Sequence, residues 1–215
     1  MVRPAKDSAD TKRKIMATAF ELFGRFGYEG TSIRHIAQEC GVNLAAVNYH
    51  FHNKENLFWE IMIETYKEVD TDLLEMKKSS QTTLEMSLMI YDYFMKESLA
   101  VRNTMKMMLT EGIGHPSSAE ALEVLNDPFG PPGGGHLAER IQTDIPYKLN
   151  REGLIWGVKS IFGAILHWTL ICCHGEDRGE EDPLMTPEQF RKDVEHLSRA
   201  TLMYLEMKRQ QFEEK

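Results

Sequence analysis

A chain of 215 residues with 42% hydrophobic and 27% charged side chains has room for one large domain or two small ones. It buries roughly 70% of the surface it exposes when unfolded. Fifteen Gly and eight Pro exclude a collagenous or low-complexity chain, the mixed charge excludes global disorder, and three Cys make no disulfide framework. The formal net charge of −8 argues against indiscriminate affinity for nucleic acid, but it is unevenly spread. Residues 1–62 carry 8 Lys+Arg and 7 Asp+Glu, a net +1, whereas residues 63–215 carry 17 and 26, a net −9. Most N-terminal cations fall in three groups: Arg3/Lys6, Lys12-Arg13-Lys14, and Arg34 through Lys54. A near-neutral domain binds DNA when its cations share one face.

The first eight residues lack the apolar core of a signal peptide, and the apolar run 153–173 is interrupted by Lys159 and His167. We therefore expect a soluble, cytoplasmic chain with no membrane span.

Taken in chain order, the pattern is helical throughout, and the expected class is all-α. Ile15, Ala19, Leu22, Phe23 and Phe26 form one apolar stripe, with Asp10 as N-cap and Gly27 as stop. Short helices follow at 32–39 and 44–50, then a long one to about Lys77 capped by Asn53. Further helices are expected at 81–99 and 101–112. A Pro- and Gly-rich loop covers 114–135, broken by at most one helix at 119–125. Helices at 136–144 and 150–174, a polar linker at 175–186 and a last helix from Pro187 to about Arg209 complete the chain.

The block Ile33 to Phe51 has the spacing of a helix-turn-helix. Ala37 is small where two helices cross closely, and Gly41 supplies the positive φ of the turn four residues later. Ile36, Cys40, Val42 and Val47 are the apolar pegs, and Asn43 caps the second helix. An ordinary helical hairpin is the alternative, but the joint spacing of Ala37, Gly41 and Val47 points to DNA binding.

Thr31-Ser32-Ile33-Arg34, Ile36-Ala37, Gly41-Val42, Val47-Asn48-Tyr49-His50-Phe51 and Asn53-Lys54-Glu55-Asn56-Leu57-Phe58 together resemble the TetR family of bacterial transcriptional regulators. The preceding helix, ending Phe26-Gly27-Tyr28-Glu29-Gly30, is similar as well. The resemblance covers about residues 10–62. It implies an N-terminal three-helix helix-turn-helix DNA-binding domain (1–62) and a C-terminal helical ligand-binding and dimerisation domain (63–215).

By that resemblance Leu44–His50 enters the major groove, with Leu44, Ala45, Asn48 and Tyr49 facing outward. Asn48 suits adenine N6/N7, and the alanines allow close approach. Tyr49, His50 and Lys54 match phosphate-contacting positions, and Arg34 lies at the groove edge. Packing against the first helix is the other reading for Tyr49. Few of these side chains donate hydrogen bonds, so shape readout carries part of the specificity. Arg3 and Lys6 add minor-groove or phosphate contacts, or belong to a disordered tail. His35 and His52 are expected to be solvated.

Palindromic half-sites require a two-fold dimer. Small residues Gly153, Gly157, Ser160, Ala164 and His167 line one face of the long helix, and Phe190, Val194, Leu197 and Thr201 line the last helix. The resemblance implies dimerisation through these two helices, whereas packing within one chain is the other reading. Six Met between Met86 and Met108 suggest an adaptable apolar pocket or plain core. The ligand candidates are Tyr66, Met89, Tyr93, Met105, Met108 and Trp156, for a small hydrophobic effector. His167 and Cys172-Cys173-His174 are awkwardly spaced for chelation from one helix, and the sequence carries no phosphate-loop, nucleophile-elbow or zinc-protease motif. We expect no enzyme activity, no cofactor and no metal.

The expected function is a homodimeric repressor that holds successive major grooves of a palindromic operator, about 34–36 Å apart, until a ligand releases it. The helix at 54–77 is the expected coupling element. The alternatives are an activator or ligand-independent regulator, and a non-catalytic carrier or adaptor that keeps the helix-turn-helix as scaffold.

Overall fold

The computed structural model describes residues 5–96, 119, 122–123, 126–130, 132–171 and 186–214. Among these the regular elements are helical. They are α1 (Ala5–Phe26), α2 (Ile33–Cys40), α3 (Leu44–Phe51), α4 (Lys54–Ser79), α5 (Thr83–Lys96), α6 (Gly134–Asp144), α7 (Arg151–Leu166), α8 (Pro187–Met207) and the single turn α9 (Arg209–Phe212). Extended pairing among the described residues is limited to one bridge between Leu149 and Glu213, so the class is all-α as expected. No helix among them is long and apolar enough to cross a membrane.

The described residues fall into two compact units, divided inside α4 between Thr65 and Tyr66. In the first, α1 buries Ile15, Ala19, Leu22 and Phe23 against Ile36, Ala37 and Cys40 of α2, Val47 and Phe51 of α3, and Leu57, Phe58, Ile61 and Met62 of α4. Phe58 centres an aromatic cluster, with Phe23, Tyr28 and Trp59 ring centroids 5.5, 5.2 and 5.5 Å away. Two expectations are corrected here. Helix α1 starts at Ala5, and Asp10 lies within it, accepting from Arg13 Nη2 at 2.5 Å. No Gly or Pro interrupts residues 5–10, and this i,i+3 pair supports the extra turn. Phe26, counted in the apolar stripe, is 47% exposed beside Arg25 and His35.

The second unit holds the rest of α4 with α5 to α9. Helix α8 packs along α7 and α5, and α6 packs on α7 and α5. Their buried faces include Ile90, Phe94, Ile141, Val158, Ile161, Phe162, Phe190, Val194 and Leu205. Asn150 caps α7 by accepting from Gly153 N, and Thr186 caps α8 by accepting from Gln189 N, directly before Pro187. Tyr91 donates to the Pro187 carbonyl at 2.7 Å, tying α5 to the start of α8. The expected helix 136–144 begins earlier, at Gly134, and the expected helix 150–174 gives way after Leu166 to a π-helical turn, His167–Ile171. The expected helix 101–112, with Met105 and Met108, lies outside the described residues, as do residues 172–185.

The proposed dimer stripes are largely interior to this unit. A Cβ on Gly153 would meet Phe212 and Leu149 at 3.0 and 3.2 Å, and one on Gly157 would meet Leu205 and Ile141 at 3.2 and 3.3 Å. The small residues admit α6, α8 and α9 of the same chain. Phe190, Val194 and Thr201 are buried core as well, with the Trp168 ring stacked on Phe190 at 4.4 Å. Leu197 and His167 are exposed, Ala164 is half-buried, and Ser160 is half-buried with its hydroxyl donating to the Trp156 carbonyl. The exposed apolar residues of α8 are Leu197, which the spacing picked out, and Met203, Tyr204 and Met207, which it did not.

Candidate nucleic-acid interface

The helix-turn-helix is assembled by caps. Thr31 is buried, and its hydroxyl lies 2.9 Å from the Gly27 carbonyl and 3.2 Å from that of Leu22, fastening the end of α1 to the start of α2. Ser32 Oγ accepts from His35 N at 3.1 Å as the N-cap of α2. At the other end Gly41 adopts φ 69°, so that its N–H reaches Gln38 O and Val42 N–H reaches Ala37 O, both near 3 Å. That is a Schellman cap, and its left-handed residue is best filled by glycine. Asn43 Oδ1 then accepts from Ala46 N at 2.7 Å to start α3.

Burial fixes which face of α3 is free. Val47 and Phe51 are sealed in the core, which leaves Leu44, Ala45, Asn48 and Tyr49 exposed, Tyr49 at 76%. These are the four residues expected to face outward, and the packing alternative for Tyr49 does not occur in this unit. Asn48 presents both a donor and an acceptor. His50 is half-buried between the rings of Tyr49 and Phe51. Arg34 is exposed on α2. Lys54 heads α4, where its ammonium donates to the Tyr28 carbonyl at 2.9 Å and lies 4.0 Å from the Tyr28 ring centroid. Lys12 also turns inward, pairing with Glu60 at 2.5 Å beside the Phe51 ring.

Two of the residues expected to be solvated are more constrained. His35 is half-buried, its ring 5.5 Å from that of Phe26. His52 is exposed but carries φ 65° and ψ −48°, the one positive φ at a non-glycine among the described residues. The signal for this was indirect. With Phe51 ending one helix and Asn53 capping the next, a single residue must reverse the chain.

In the second unit the ligand candidates separate. Tyr66 donates to Asp127 Oδ2 at 3.4 Å, and burial, followed by the Asp127 and Asp70 charges, pushes its phenol up to about 12. Tyr93 donates to Asp72 at 3.0 Å, and Met89 is half-buried. Trp156 packs instead against Tyr204 and Phe212, with ring centroids 4.6 and 6.1 Å away. Sequence reasoning missed Asp70, which accepts from Gly133 N at 3.0 Å through one oxygen and lies 3.3 Å from His136 Nε2 through the other. Among the described residues no group of His, Cys, Asp or Glu is arranged to hold a metal ion, and Cys40 is buried.

Comparison with known proteins follows this division. The family profile for bacterial regulatory proteins of the tetR family matches residues 15–61. The chain is 39% identical over 62 residues to the HTH-type transcriptional regulator AcrR of Shigella flexneri, a match covering 28% of this chain and 29% of that protein. The matches span between 17% and 41% of the length of the curated relatives. Solved structures share the fold more widely. A transcriptional regulator from Aquifex aeolicus superposes with a TM-score of 0.60 at 21% identity, covering 87% of this chain and 99% of that one. A Saccharomonospora viridis protein solved in complex with choline gives 0.60 at 16% identity, covering 96% and 100%. Residues 15–61 thus match the DNA-binding domain of the tetR family of bacterial regulatory proteins, and the fold of most of the chain is shared with these solved regulators.

Proposed function

We propose that this protein is a sequence-reading transcriptional regulator that binds a palindromic operator as a homodimer and is released by a small molecule, in the manner of a repressor. The observation that carries the reading is the free face of α3, where Leu44, Ala45, Asn48 and Tyr49 stand exposed while Val47 and Phe51 anchor the helix from behind. Asn48 is the base-reading residue, Ala45 allows close approach, and Arg34, Tyr49 and His50 flank it toward phosphate. The exposed flank of α8, Leu197, Met203, Tyr204 and Met207, supports an interface with a second copy, and Gly163 of α7 has open space where a Cβ would stand. Ligand binding is supported by the choline held in a protein of the same fold, and by Tyr66, Met89 and Tyr93 in the second unit.

Selection of duplexes from a random pool, followed by titration of wild type and Asn48→Ala, tests the reading. A palindrome whose affinity falls by about 1–3 kcal/mol in the variant, at one base position, supports it. Weak binding without a consensus, unchanged by the substitution, refutes it.

A further inference from the structure

The free face of α3 carries two chemistries. Leu44 and Ala45 open the helix, and Asn48 follows four and three residues later, so the three side chains share one side of it. All three are exposed, Leu44 at 37%, whereas Leu22 and Leu57 are sealed at 5% and 0%. Other residues start and hold the helix: Asn43 Oδ1 caps it through Ala46 N, and Val47 and Phe51 anchor it from behind. An apolar pair followed by an amide is therefore what the head of α3 offers to a groove. Leu44 and Ala45 bring no donor or acceptor to a base edge. In the major groove the one apolar feature that distinguishes a base is the C5-methyl group of thymine.

We propose that the head of α3 reads a pyrimidine C5-methyl group, with Leu44 covering the methyl and Ala45 giving room for the approach. This rests on α3 being the DNA-reading element. Leu44 and Asn48 are separated by a rise of about 6 Å along the helix. Base pairs stack about 3.4 Å apart, so the methyl group lies within about two base pairs of the position that Asn48 reads. A contact of this kind separates bases that differ by a methyl group alone, thymine from uracil and 5-methylcytosine from cytosine. A site with cytosine at that position would thus be bound according to its methylation. Burying one methyl group is worth about fourfold in affinity, and a palindrome presents it twice, which gives about fifteenfold.

The experiment titrates full-length wild type and Leu44→Ala on a duplex selected by wild type, with the Asn48 position located by the Asn48→Ala titration. Each thymine is replaced in turn by deoxyuridine in both half-sites, which removes the methyl group and leaves the hydrogen-bonding edge intact. A second pair of duplexes carries cytosine or 5-methylcytosine at the sensitive position. We expect uracil to cost about fifteenfold at one position within about two base pairs of the Asn48 contact, and 5-methylcytosine to bind tighter than cytosine by a similar factor. Both differences should shrink to about twofold or less in Leu44→Ala, with an unchanged salt slope because no phosphate contact is lost. Uracil tolerated at every position overturns the proposal, and so does a half-site without thymine in that window. A uracil effect undiminished in Leu44→Ala overturns it too, since another residue then holds the methyl group. Circular dichroism checks that the variant is folded, and the uracil and 5-methylcytosine comparisons on wild type stand without it. Failure of wild type to select any duplex would remove the DNA reading itself, whereas a selected palindrome indifferent to uracil leaves that reading in place and overturns the methyl contact alone.

Discussion

The Gly133 N–H donates to Asp70 at 3.0 Å and holds its Cα so close to Leu73 that an added methyl would fall 2.2 Å from Leu73 Cδ2. The same methyl would lie 2.6 Å from Leu73 Cβ, so a rotamer change cannot make room. With φ at 79°, the site disfavours alanine twice, by conformation and by volume. Gly133→Ala is expected to lower unfolding free energy by about 2–4 kcal/mol in a urea titration. Asp70→Ala, which leaves the N–H without its acceptor, should cost about 1–3 kcal/mol.

His52→Gly should stabilise the protein. Relief of a positive-φ, negative-ψ backbone recovers about 1–3 kcal/mol, offset by about 0.5–1 kcal/mol for the greater freedom of unfolded glycine. A net gain of about 1 kcal/mol is expected by thermal unfolding, and His52→Val should reverse the sign. A destabilised glycine variant would show that the turn is unstrained.

The two flanks of α7 and α8 predict opposite phenotypes. Met207 is 77% exposed, and if the proposed homodimer forms through this flank, Met207→Glu together with Leu197→Glu should convert it to monomer in sedimentation velocity while leaving the melting temperature of the subunit nearly unchanged. Gly157→Leu should do the converse, because its Cβ direction is already occupied by Leu205 and Ile141 of the same chain.

Tyr66 supplies a pH test. Its phenol, ordinarily near 10, is pushed up to about 12, chiefly by burial. A raised folded value means that the native state holds its proton where the unfolded chain has released it. The associated stability is complete below pH 10 and is lost as pH rises through 12. Alkaline unfolding should therefore be shallower in Tyr66→Phe than in wild type across that window. In an absorbance titration of the tyrosinates, the variant should lack one late-titrating phenol.

The helix-turn-helix was legible in the sequence because its determinants are local. Ala37, Gly41 and Asn43 each do in three dimensions what their residue types do in one, as small contact, left-handed cap and N-cap. The second unit was less legible for the corresponding reason. A row of small residues such as Gly153 and Gly157 announces close approach but not which helix approaches, and here the neighbours belong to the same subunit. Periodicity likewise marked Phe190, Val194 and Thr201 as one face without saying that the face is core. Lys54 shows a further limit, since the 26 residues separating it from Tyr28 left no local pattern to read. The tether from Asp70 to Gly133 and His136 spans more than 60 residues and was invisible for the same reason.

Helix α3 is eight residues long, too short to hold its shape alone in water. Its existence is conditional on Val47 and Phe51 remaining sealed behind it. The proposed reading surface is therefore only as durable as an interior it never shows to solvent. In a genetic screen for lost operator binding, many of the damaging substitutions should fall at Ile15, Ile36, Val47, Phe51 and Phe58, none of which would touch a nucleotide.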